Sequence, residues 1–425
     1  MYLKTNALAL FCVALLAWQA RATDFETGYL PSIDEITTTQ EVGGKEKDKG
    51  KEKQPDKLKK TPDQKLTEPP DIDVFAQTPM SNEFPTGFNP HMLGDFPGAF
   101  VRKNITVFAT QTVIQTCNCN VPQIIPTATT VQTVPVQKAV LIPVNNAGAF
   151  KIADNESPRP QDRVFVFYNY FDTLRGPSGT TSTNQTTITP VPNSATRIVV
   201  NTFTPGVPQV SMNLHREVVG FEKTFLDGRA SFEMRVPASE QSGANIDGVA
   251  TGNIGDITLI AKYAFILDRV TNNVLSGGLA VTAPTGPAIQ TTDGTIHSTL
   301  IQPWVGYIWN ADQFYIHAFH SLVVPSDARD VMLLFNDIGL NYWAYRGGRN
   351  QFLTSVVPLV EVHVTTPLNH SDPNGLFYSP NLVVMTAGVH LGLFQNSTLT
   401  LGLAAPVSTP RVFGIEAFVQ FNRRF

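Results

Sequence analysis

Cysteine, long apolar runs and any large excess of one charge are scarce in this chain of 425 residues. It has 3 cysteines, and its 31 basic and 35 acidic residues leave a formal net charge of -4. Without a basic patch there is no sign of nucleic-acid binding, so no nucleic-acid partner is predicted. No stretch reaches the roughly 18 consecutive apolar residues that a membrane-spanning helix requires. The sequence therefore argues against a nucleic-acid-binding protein and against a helical membrane protein.

The few cysteines also exclude a disulfide framework. Cys12 lies in the N-terminal apolar run, and the bulky Phe11 before it argues against lipid acylation. Cys117 and Cys119 are two residues apart, and a bridge between them would close a very small, strained ring. The simplest interpretation is a surface loop, with a cross-link to a neighbouring molecule, a metal or a redox role as alternatives.

The N-terminus has the features of an export signal. Lys4 precedes an apolar run over residues 7–18, and residues 20–22 (ARA) offer a small-residue cleavage site. We predict a signal peptide over residues 1–22. Residues 23–83 are predicted to be a disordered charged linker, because a segment rich in Lys, Glu and Asp and poor in aromatic residues cannot bury enough apolar surface to fold.

Residues 84–148 are rich in Gly, Pro and Phe at first, and in Thr, Val, Gln and Pro later. They are predicted to be an irregular or plug-like segment, with short strands as the other interpretation. Residues 101–144 show no resemblance to a known family.

Apolar and polar residues alternate from residue 163 onward, which is typical of strands with two different faces. Short turns rich in Asp, Asn and Gly alternate with longer links, as they do in outer-membrane barrels. The pattern predicts an all-β fold over residues 149–425, a transmembrane antiparallel up-and-down β-barrel of about 12 strands. The predicted strands are 163–173, 210–225, 230–237, 254–267, 273–284, 298–309, 313–323, 331–345, 353–365, 381–394, 398–405 and 411–425.

Aromatic residues gather near the short-turn ends of these strands, where amphipathic rings favour a membrane interface. We therefore predict the bacterial outer membrane as the location, with the N-terminal segment and the C-terminus in the periplasm. The predicted partners are outer-membrane lipid, a small-molecule solute and the barrel-assembly machinery, the last through the C-terminal strand that ends in Phe425. The aromatic residues concerned are Phe221, Phe225, Tyr263, Phe265, Tyr307, Trp309, Phe314, Tyr315, Tyr342, Trp343, Phe421 and Phe425.

The polar face of the strands is too rich in charge for a dry core, since a buried ion without a partner costs several kcal/mol. A hydrated lumen would remove that cost. Opposite signs also suggest pairing across neighbouring strands, in which case the charges brace the wall and bind no substrate. The predicted lumen-lining residues are Glu222, Glu233, Arg235, Asp256, Lys262, Asp337, Glu361, His363, His390, Glu416 and Arg424.

Catalytic and metal-binding interpretations are weaker. Glu361 and His363 are two apart on one face, but two ligands do not make a metal site. His317, His320 and Ser321 invite comparison with outer-membrane lipases, yet adjacent residues of a strand point to opposite faces and cannot form a dyad. We predict no catalytic residue, no metal, no cofactor and no enzyme activity.

Seven phrases of the chain look familiar as a set: ESPRPQDRVFVFYNYF (156–171), GFEKTFLDGRASFEMRVP (220–237), GDITLIAKYAFI (255–266), GLAVTAPTG (278–286), IQPWVGYIW (301–309), FHSLVVP (319–325) and LGLAAPVSTPRVFGIEAFVQFNRRF (401–425). Together they resemble a group of outer-membrane β-barrel proteins common in planctomycete-type bacteria. The GD-x4-KY and PTG elements are more distantly similar to the barrel family named for the phenol-degradation MetA pathway. The resemblance covers about residues 149–425 and implies an outer-membrane barrel with a transport role, but no catalytic or binding residues. Arg423 departs from the usual C-terminal signature, which has an apolar residue there.

Two functions follow as hypotheses. The first is a channel or transporter that passes small molecules passively, hydrophobic or aromatic ones among them, through a narrow and partly plugged lumen. The alternative is a structural or surface-adhesion barrel without transport, in which the Thr-rich and Ser-rich link over residues 174–207 mediates attachment. A hydrolase in the barrel wall comes third, because no nucleophile and base share a face at a suitable spacing.

Overall fold

The computed structural model describes residues 88, 90–94, 97–117, 126–144, 150–177, 179–194, 196–245, 252–348 and 350–425. Within these ranges the regular secondary structure is entirely β. No helix among these residues is long and apolar enough to cross a membrane. The predicted signal peptide, the predicted charged linker and Cys119 lie outside the described residues.

The strands of the described residues are β1 (Phe100–Cys117), β2 (Pro126–Pro143), β3 (Arg163–Arg175), β4 (Thr183–Pro190), β5 (Thr196–Thr204), β6 (Ser211–Phe225), β7 (Ala230–Ser242), β8 (Gly252–Ile254), β9 (Ile257–Leu267), β10 (Val274–Ala283), β11 (Ile289–Thr291), β12 (Gly294–Ile296), β13 (Leu300–Ala311), β14 (Phe314–Pro325), β15 (Leu333–Tyr342), β16 (Tyr345–Arg346), β17 (Leu353–Pro367), β18 (Phe377–Tyr378), β19 (Leu382–Leu393), β20 (Ser397–Pro406) and β21 (Glu416–Arg424).

Twelve of these strands form one closed antiparallel barrel. The spatial order is β15, β14, β13, β10, β9, β7, β6, β3, β21, β20, β19 and β17, and the pairing of β15 with β17 completes the ring. The first barrel strand, β3, pairs with the last, β21, so that Arg163 lies opposite Arg424. The prediction of an all-β, antiparallel, up-and-down barrel of twelve strands is confirmed.

The predicted strand positions agree with the structure, and the differences lie at the ends. The prediction ended one strand at Pro237, but β7 continues to Ser242, because its last residues pair with β6 and with the short strand β8. The last strand begins at Glu416, five residues later than predicted. The preceding residues turn inward instead, and Val412 and Phe413 are buried in the core.

The two rims of the barrel differ in the length of their connections. The short-turn rim contains residues 226–229, 268–273, 312–313, 343–348, 350–352 and 394–396, together with the start of β3 and the end of β21. Among the described residues, the long-link rim contains 176–177, 179–194, 196–210, 243–245, 252–256, 284–299, 326–332, 368–381 and 407–415.

The outer face of the barrel is apolar and the inner face is largely polar. On β15 the outward Ile338 and Leu340 are 47% and 51% exposed, while the inward Asp337 and Asn341 on either side of them are 1% and 0% exposed. This is the reverse of a water-soluble protein, in which apolar side chains face the interior. The aromatic side chains Phe221, Phe265, Trp309, Phe314 and Tyr342 are exposed near the short-turn rim.

Two inner segments of the chain run through the barrel interior. The first inner segment comprises residues 88, 90–94 and 97–99, and it starts at Phe88, whose ring contacts Trp343 at the short-turn rim with a centroid distance of 4.8 Å. It ends next to Phe100, which pairs with Tyr378 in a long link. The second inner segment, residues 150–162, returns to the short-turn rim and leads into β3. Backbone hydrogen bonds join the two, from Met92 N to Glu156 O and from Asn155 N to Met92 O.

Between the two inner segments the chain forms a sheet at the long-link rim. β1 and β2 are 18 residues each and pair along nearly their whole length, and β5 and β4 extend the sheet beyond β1. This region was predicted to be irregular or plug-like, or to hold short strands. The β1–β2 hairpin therefore lies at the rim, and the barrel interior holds the two inner segments that precede and follow this hairpin in the chain. Cys117 ends β1 opposite Thr196.

The β6–β7 turn provides a test of backbone geometry. Leu226, Asp227 and Gly228 have positive φ angles, and a Cβ added at Gly228 would meet no atom within 4 Å. Gly228→Ala should therefore lower the free energy of unfolding by about 1 kcal/mol through the left-handed backbone alone. Urea-induced unfolding of the purified protein would measure it. Gly348→Ala is the matched control, because Gly348 has equally open surroundings without a positive φ. An equal loss in the free energy of unfolding in both variants would contradict this account.

Candidate functional site

Arg163, the first residue of the barrel, is fully buried and holds four parts of the structure together. Its Nε donates to Glu222 on β6 at 2.8 Å, and its Nη2 donates to Glu233 on β7 at 2.7 Å. Its Nη1 donates to the carbonyl of Asn155 on the second inner segment and to Asn422 Oδ1 on β21, at 2.7 and 2.8 Å. One guanidinium group therefore connects β6, β7, β21 and the second inner segment.

Glu156 is the corresponding anion on the second inner segment. Its Oε1 accepts from Lys262 Nζ at 2.5 Å, and its Oε2 accepts from Arg235 Nη2 at 2.6 Å. Arg163 Nη2 is 3.4 Å from the same Oε2. Glu156 is 0% exposed, so these cations take the place of water around its carboxylate.

The remaining pairs complete a network of three acids and three bases, here called the central network: Glu156, Glu222, Glu233, Arg163, Arg235 and Lys262. Lys262 lies 2.9 Å from Glu222, and Arg235 lies 2.6 Å from Glu233. All six residues are at most 3% exposed. The formal charges cancel, which is the condition under which buried ions are tolerated.

The three carboxylates of the central network have oxygen atoms within 4.8 Å of one another, a spacing that a metal ion could use. Each of them, however, already pairs with at least two of the three basic side chains. The positive charge that an ion would supply is therefore provided by the protein, and the arrangement is an ion-pair network, not a metal centre.

A neighbouring contact extends the central network toward the long-link rim. Asp154 Oδ2 accepts from Arg216 Nη2 at 3.1 Å, and the Asp154 carbonyl accepts from Arg235 at 2.8 Å. The guanidinium of Arg216 also lies over the rings of Phe150 and Phe171, at 5.2 and 5.4 Å from their centroids. The second inner segment is thus bound to the wall by charge and by aromatic contacts.

A second cluster lies on β14, β15 and β17, on another side of the interior. Lys151 of the second inner segment pairs with Asp337 at 2.8 Å, and Asp337 also contacts His363 Nδ1 at 3.0 Å. Glu361 contacts His317 Nε2 at 3.0 Å and His363 Nε2 at 3.2 Å. All five side chains are buried.

The first inner segment joins this second cluster through its backbone. Leu93 N donates to Glu361 Oε2 at 2.9 Å. The Leu93 side chain packs where wall residues are small, since a Cβ added at Gly388 or Gly402 would lie within 2.7 Å of Leu93 Cδ1. Glu361 thus holds the first inner segment, whereas the sequence suggested it only as a candidate for the lumen or for a two-residue metal pair.

The structure places the eleven predicted lumen residues on the inner side of the wall, ten of them buried and Arg424 half-buried. The sequence left open whether water would solvate these charges or whether they would pair with neighbours. For ten of the eleven the structure shows partners on the inner segments or on neighbouring residues of the barrel and its links. Glu222, Glu233, Arg235 and Lys262 lie in the central network; Asp337, Glu361 and His363 lie in the second cluster; Asp256 pairs with His297 at 3.0 Å, His390 with Thr400 at 2.7 Å and Glu416 with Asn169 at 2.9 Å.

The residues that sequence reasoning missed are Lys151, Asp154 and Glu156 on the second inner segment, Arg163 at the start of β3 and Arg216 on β6. Glu156 and Arg163 were visible in the phrase ESPRPQDR, where two opposite charges flank two prolines just before the first strand. Alternation indicates which residues of a strand face inward, but it gives no information about a non-strand segment that lies inside the barrel.

The three residues compared with a lipase are separated in the structure. His320 is exposed on the outer face and contacts Asn336, with 2.9 Å between Nδ1 and Oδ1. Ser321 faces inward, where its Oγ accepts from Gln302 Nε2 at 2.9 Å. His317 binds Glu361. The three side chains do not form a nucleophile and base arrangement.

The short-turn rim has its own charged contact at the barrel seam. Asp162 accepts hydrogen bonds of 2.6 Å from Lys223 Nζ and from the backbone and hydroxyl of Thr224, and its carbonyl accepts from Phe425 N at 3.3 Å. Partial burial alone would raise the pKa of the Asp162 carboxyl, but these hydrogen bonds outweigh it and lower that pKa. Because the folded pKa is depressed, the contact stabilises the fold at neutral pH and loses that effect as the pH falls through the folded pKa.

No protein-family model and no curated protein matches this chain. Among solved structures, the chain is similar to an outer membrane channel from Pseudomonas putida F1, with a TM-score of 0.42 and 12% sequence identity over 65% of this chain and 100% of that one. These comparisons give no support to a specific tie with planctomycete-type or MetA-pathway barrel proteins.

The central network generates a prediction about stability. Glu156→Gln removes the only charge of the second inner segment that contacts Arg163, Arg235 and Lys262 among the described residues, and it leaves buried cations in excess. It should lower the free energy of unfolding by about 3–5 kcal/mol, measured by urea titration of the purified protein.

The control is Asp327→Asn. Asp327 pairs with Arg329 at 2.6 Å in an exposed link, so its replacement should leave the free energy of unfolding unchanged within error. A Glu156→Gln variant as stable as the wild type would show that the network does not hold the inner segment.

Proposed function

We propose that this protein is an outer-membrane channel for small molecules, described here in a closed state in which its own inner segments fill the lumen. The observation that carries the proposal is an inverted barrel: an apolar outer face surrounds an ion-paired interior that contains two non-strand segments. The N-terminal segment and the C-terminus are proposed to be periplasmic, on the side of the short-turn rim, and Phe425 to serve the barrel-assembly machinery.

The outer face supports a membrane location. Exposed apolar patches larger than a few hundred Å² are rare on soluble monomers, and here exposed Val, Leu, Ile and Phe side chains occur on strand after strand around the barrel. Exposed rings such as Phe265, Trp309 and Phe314 lie near the short-turn rim, where amphipathic rings of a membrane barrel meet the headgroups. A closed ring of strands also leaves no unpaired backbone facing lipid.

The width of the barrel supports a channel whose lumen is occupied. Barrels of about 8 strands are filled by their own side chains, while those of 16 to 18 strands leave an aqueous pore. Twelve strands lie between these limits, so the interior has room for extra chain. Met92, Leu93, Ile152 and Glu156 are at most 2% exposed, which leaves no wide aqueous path beside them.

The character of the inner contacts supports movement of the inner segments during transport. The second inner segment is held through Lys151, Asp154 and Glu156, each of which pairs with an opposite charge on the wall. Ion pairs, unlike apolar packing, can be exchanged for water when the lumen hydrates. Displacement of this segment would leave a charged, wettable wall, which is suited to the passage of polar and amphipathic solutes.

Planar-bilayer recording of the purified protein tests the channel. The wild type should show low or rare conductance, and Asp154→Asn/Glu156→Gln should raise the open probability several-fold, because the second inner segment loses two wall contacts. Asp327→Asn is the control and should behave as the wild type. The absence of any conductance and of any solute flux in all three proteins would contradict a channel.

A second function is supported by the sheet at the long-link rim. β4 is exposed at every residue, its eight residues include four threonines, and it forms a free edge of this sheet next to β5. An exposed, uncharged and hydroxyl-rich edge strand on the outer side would suit a surface-adhesion barrel. Neither candidate function requires a cofactor or an enzymatic step.

Replacing residues 183–204 by a short Gly/Ser link separates the two functions. If the sheet mediates attachment, adhesion of cells to a surface should fall while the single-channel conductance stays as in the wild type. Unchanged adhesion would count against the second function, and β11 and β12, a separate two-stranded hairpin at the same rim, provide a deletion control.

A further inference from the structure

An isolated polar pair lies on the apolar outer face. His320 on β14 and Asn336 on β15 are opposite each other in register, with 2.9 Å between Nδ1 and Oδ1. Along the same strands the outward neighbours are apolar, Ile338 on β15 and Leu322 on β14 among them. The flanking strands continue this surface, since Val305 lies opposite His320 and Val364 lies opposite Asn336.

The hydrogen-bonding capacity of this pair is only partly used. With Asn336 Oδ1 as the acceptor, His320 Nδ1 carries the proton, and Nε2 is left as an acceptor. Asn336 Nδ2 keeps two N–H donors. Over the residues that the structure describes, no hydrogen bond reaches either of these nitrogens. The ring of Tyr307 stacks beside the imidazole at a centroid distance of 6.4 Å and gives it a flat apolar flank.

Polar groups facing lipid require a reason, because hydrocarbon offers no hydrogen bonds and such groups in a membrane are costly. The pair presents one acceptor and one donor side by side, and the outward side chains of β13, β14 and β15 include no Asp, Glu, Lys or Arg. Two copies related by a two-fold axis would match donor to acceptor twice, without like-charge repulsion. Such self-complementarity defines an isologous dimer contact.

We propose that the outer face around His320 and Asn336 is a lateral dimer interface with a second copy of this chain, formed by reciprocal Nδ2–H···Nε2 hydrogen bonds within a surround of Val305, Leu322 and Ile338. This inference rests on the proposed membrane location. It assigns to β13, β14 and β15 a role that transport through the lumen does not require.

The test is the oligomeric state of the full chain. Sedimentation in mild detergent should show a monomer–dimer equilibrium for the wild type, and His320→Leu/Asn336→Leu should raise its dissociation constant about 10-fold or more. His215→Leu is the matched control and should leave the equilibrium unchanged. His215 also faces outward, but it lies on β6, five strands from β14 around the barrel, and contacts Tyr168.

A second measurement works in the membrane. In a Cys117→Ser/Cys119→Ser background, Ile338→Cys should form a disulfide-linked dimer in vesicles, whereas Leu401→Cys, which is exposed on β20, should not. A wild type that floats with vesicles but remains monomeric, or dimers unaffected by the double replacement, would overturn the interface alone. A chain that does not float with vesicles would overturn both the interface and the membrane location.

Discussion

The contact on which the rest of the structure depends is the buried guanidinium of Arg163. It is the first residue of the barrel, and its partners belong to β6, β7, β21 and the second inner segment. A closed barrel must bring its first and last strands together, and the Arg163 contacts to Asn422 and Asn155 do so at the point where the chain leaves the interior. Because Arg163 cannot lose its proton inside a protein, its buried positive charge requires acidic partners. These partners are Glu222 and Glu233 on the next two strands and Glu156 on the second inner segment.

The requirement of Arg163 for acidic partners explains why the interior is both charged and closed to solvent. Three carboxylates around Arg163 leave an excess of negative charge. Arg235 and Lys262 balance this excess, so the six residues of the central network carry no net formal charge. The apolar outer face and the ionic interior are consequences of one arrangement: strands whose two faces differ, wrapped with the polar face inside. Twelve strands enclose more space than their side chains fill, and the inner segments supply both volume and counter-charge.

The sequence predicted the barrel more fully than it predicted the site. A period of two is set by strand geometry, so twelve alternating runs were enough to give the strands, their count and the two kinds of connection. Alternation also indicated Glu222, Glu233, Arg235 and Lys262 as inward residues, since each lies between outward apolar neighbours. Strand ends were less accurate where proline or an inward bend intervened, as at Pro237 and Phe413. Alternation gives no information about segments outside the strands, because those segments have no periodic pattern.

For the same reason Lys151, Asp154 and Glu156 were not predicted as members of the site. Their partners are far away in sequence, and the pairing depends on a path through the barrel that only the closed fold defines. The β1–β2 hairpin is a second example of a region whose sequence does not show which neighbouring segments lie inside the barrel. Its residues have strand-like composition, but nothing in their pattern indicated that the chain on either side of the hairpin enters the lumen.

The distribution of charge along the second inner segment also accounts for its single position. Lys151, Asp154 and Glu156 carry the order positive, negative, negative, and the wall offers Asp337, Arg216 and then Arg235 with Lys262 at matching places. A shift of the segment by three residues would bring Asp154 to the place of Lys151, next to Asp337, and would place like charges together in a buried site. Apolar contacts such as those of Ile152 and Ala153 with Trp304 and Phe319 tolerate small shifts, since they are not directional. The ion pairs therefore determine where the segment lies, and the apolar contacts contribute to how firmly it stays there.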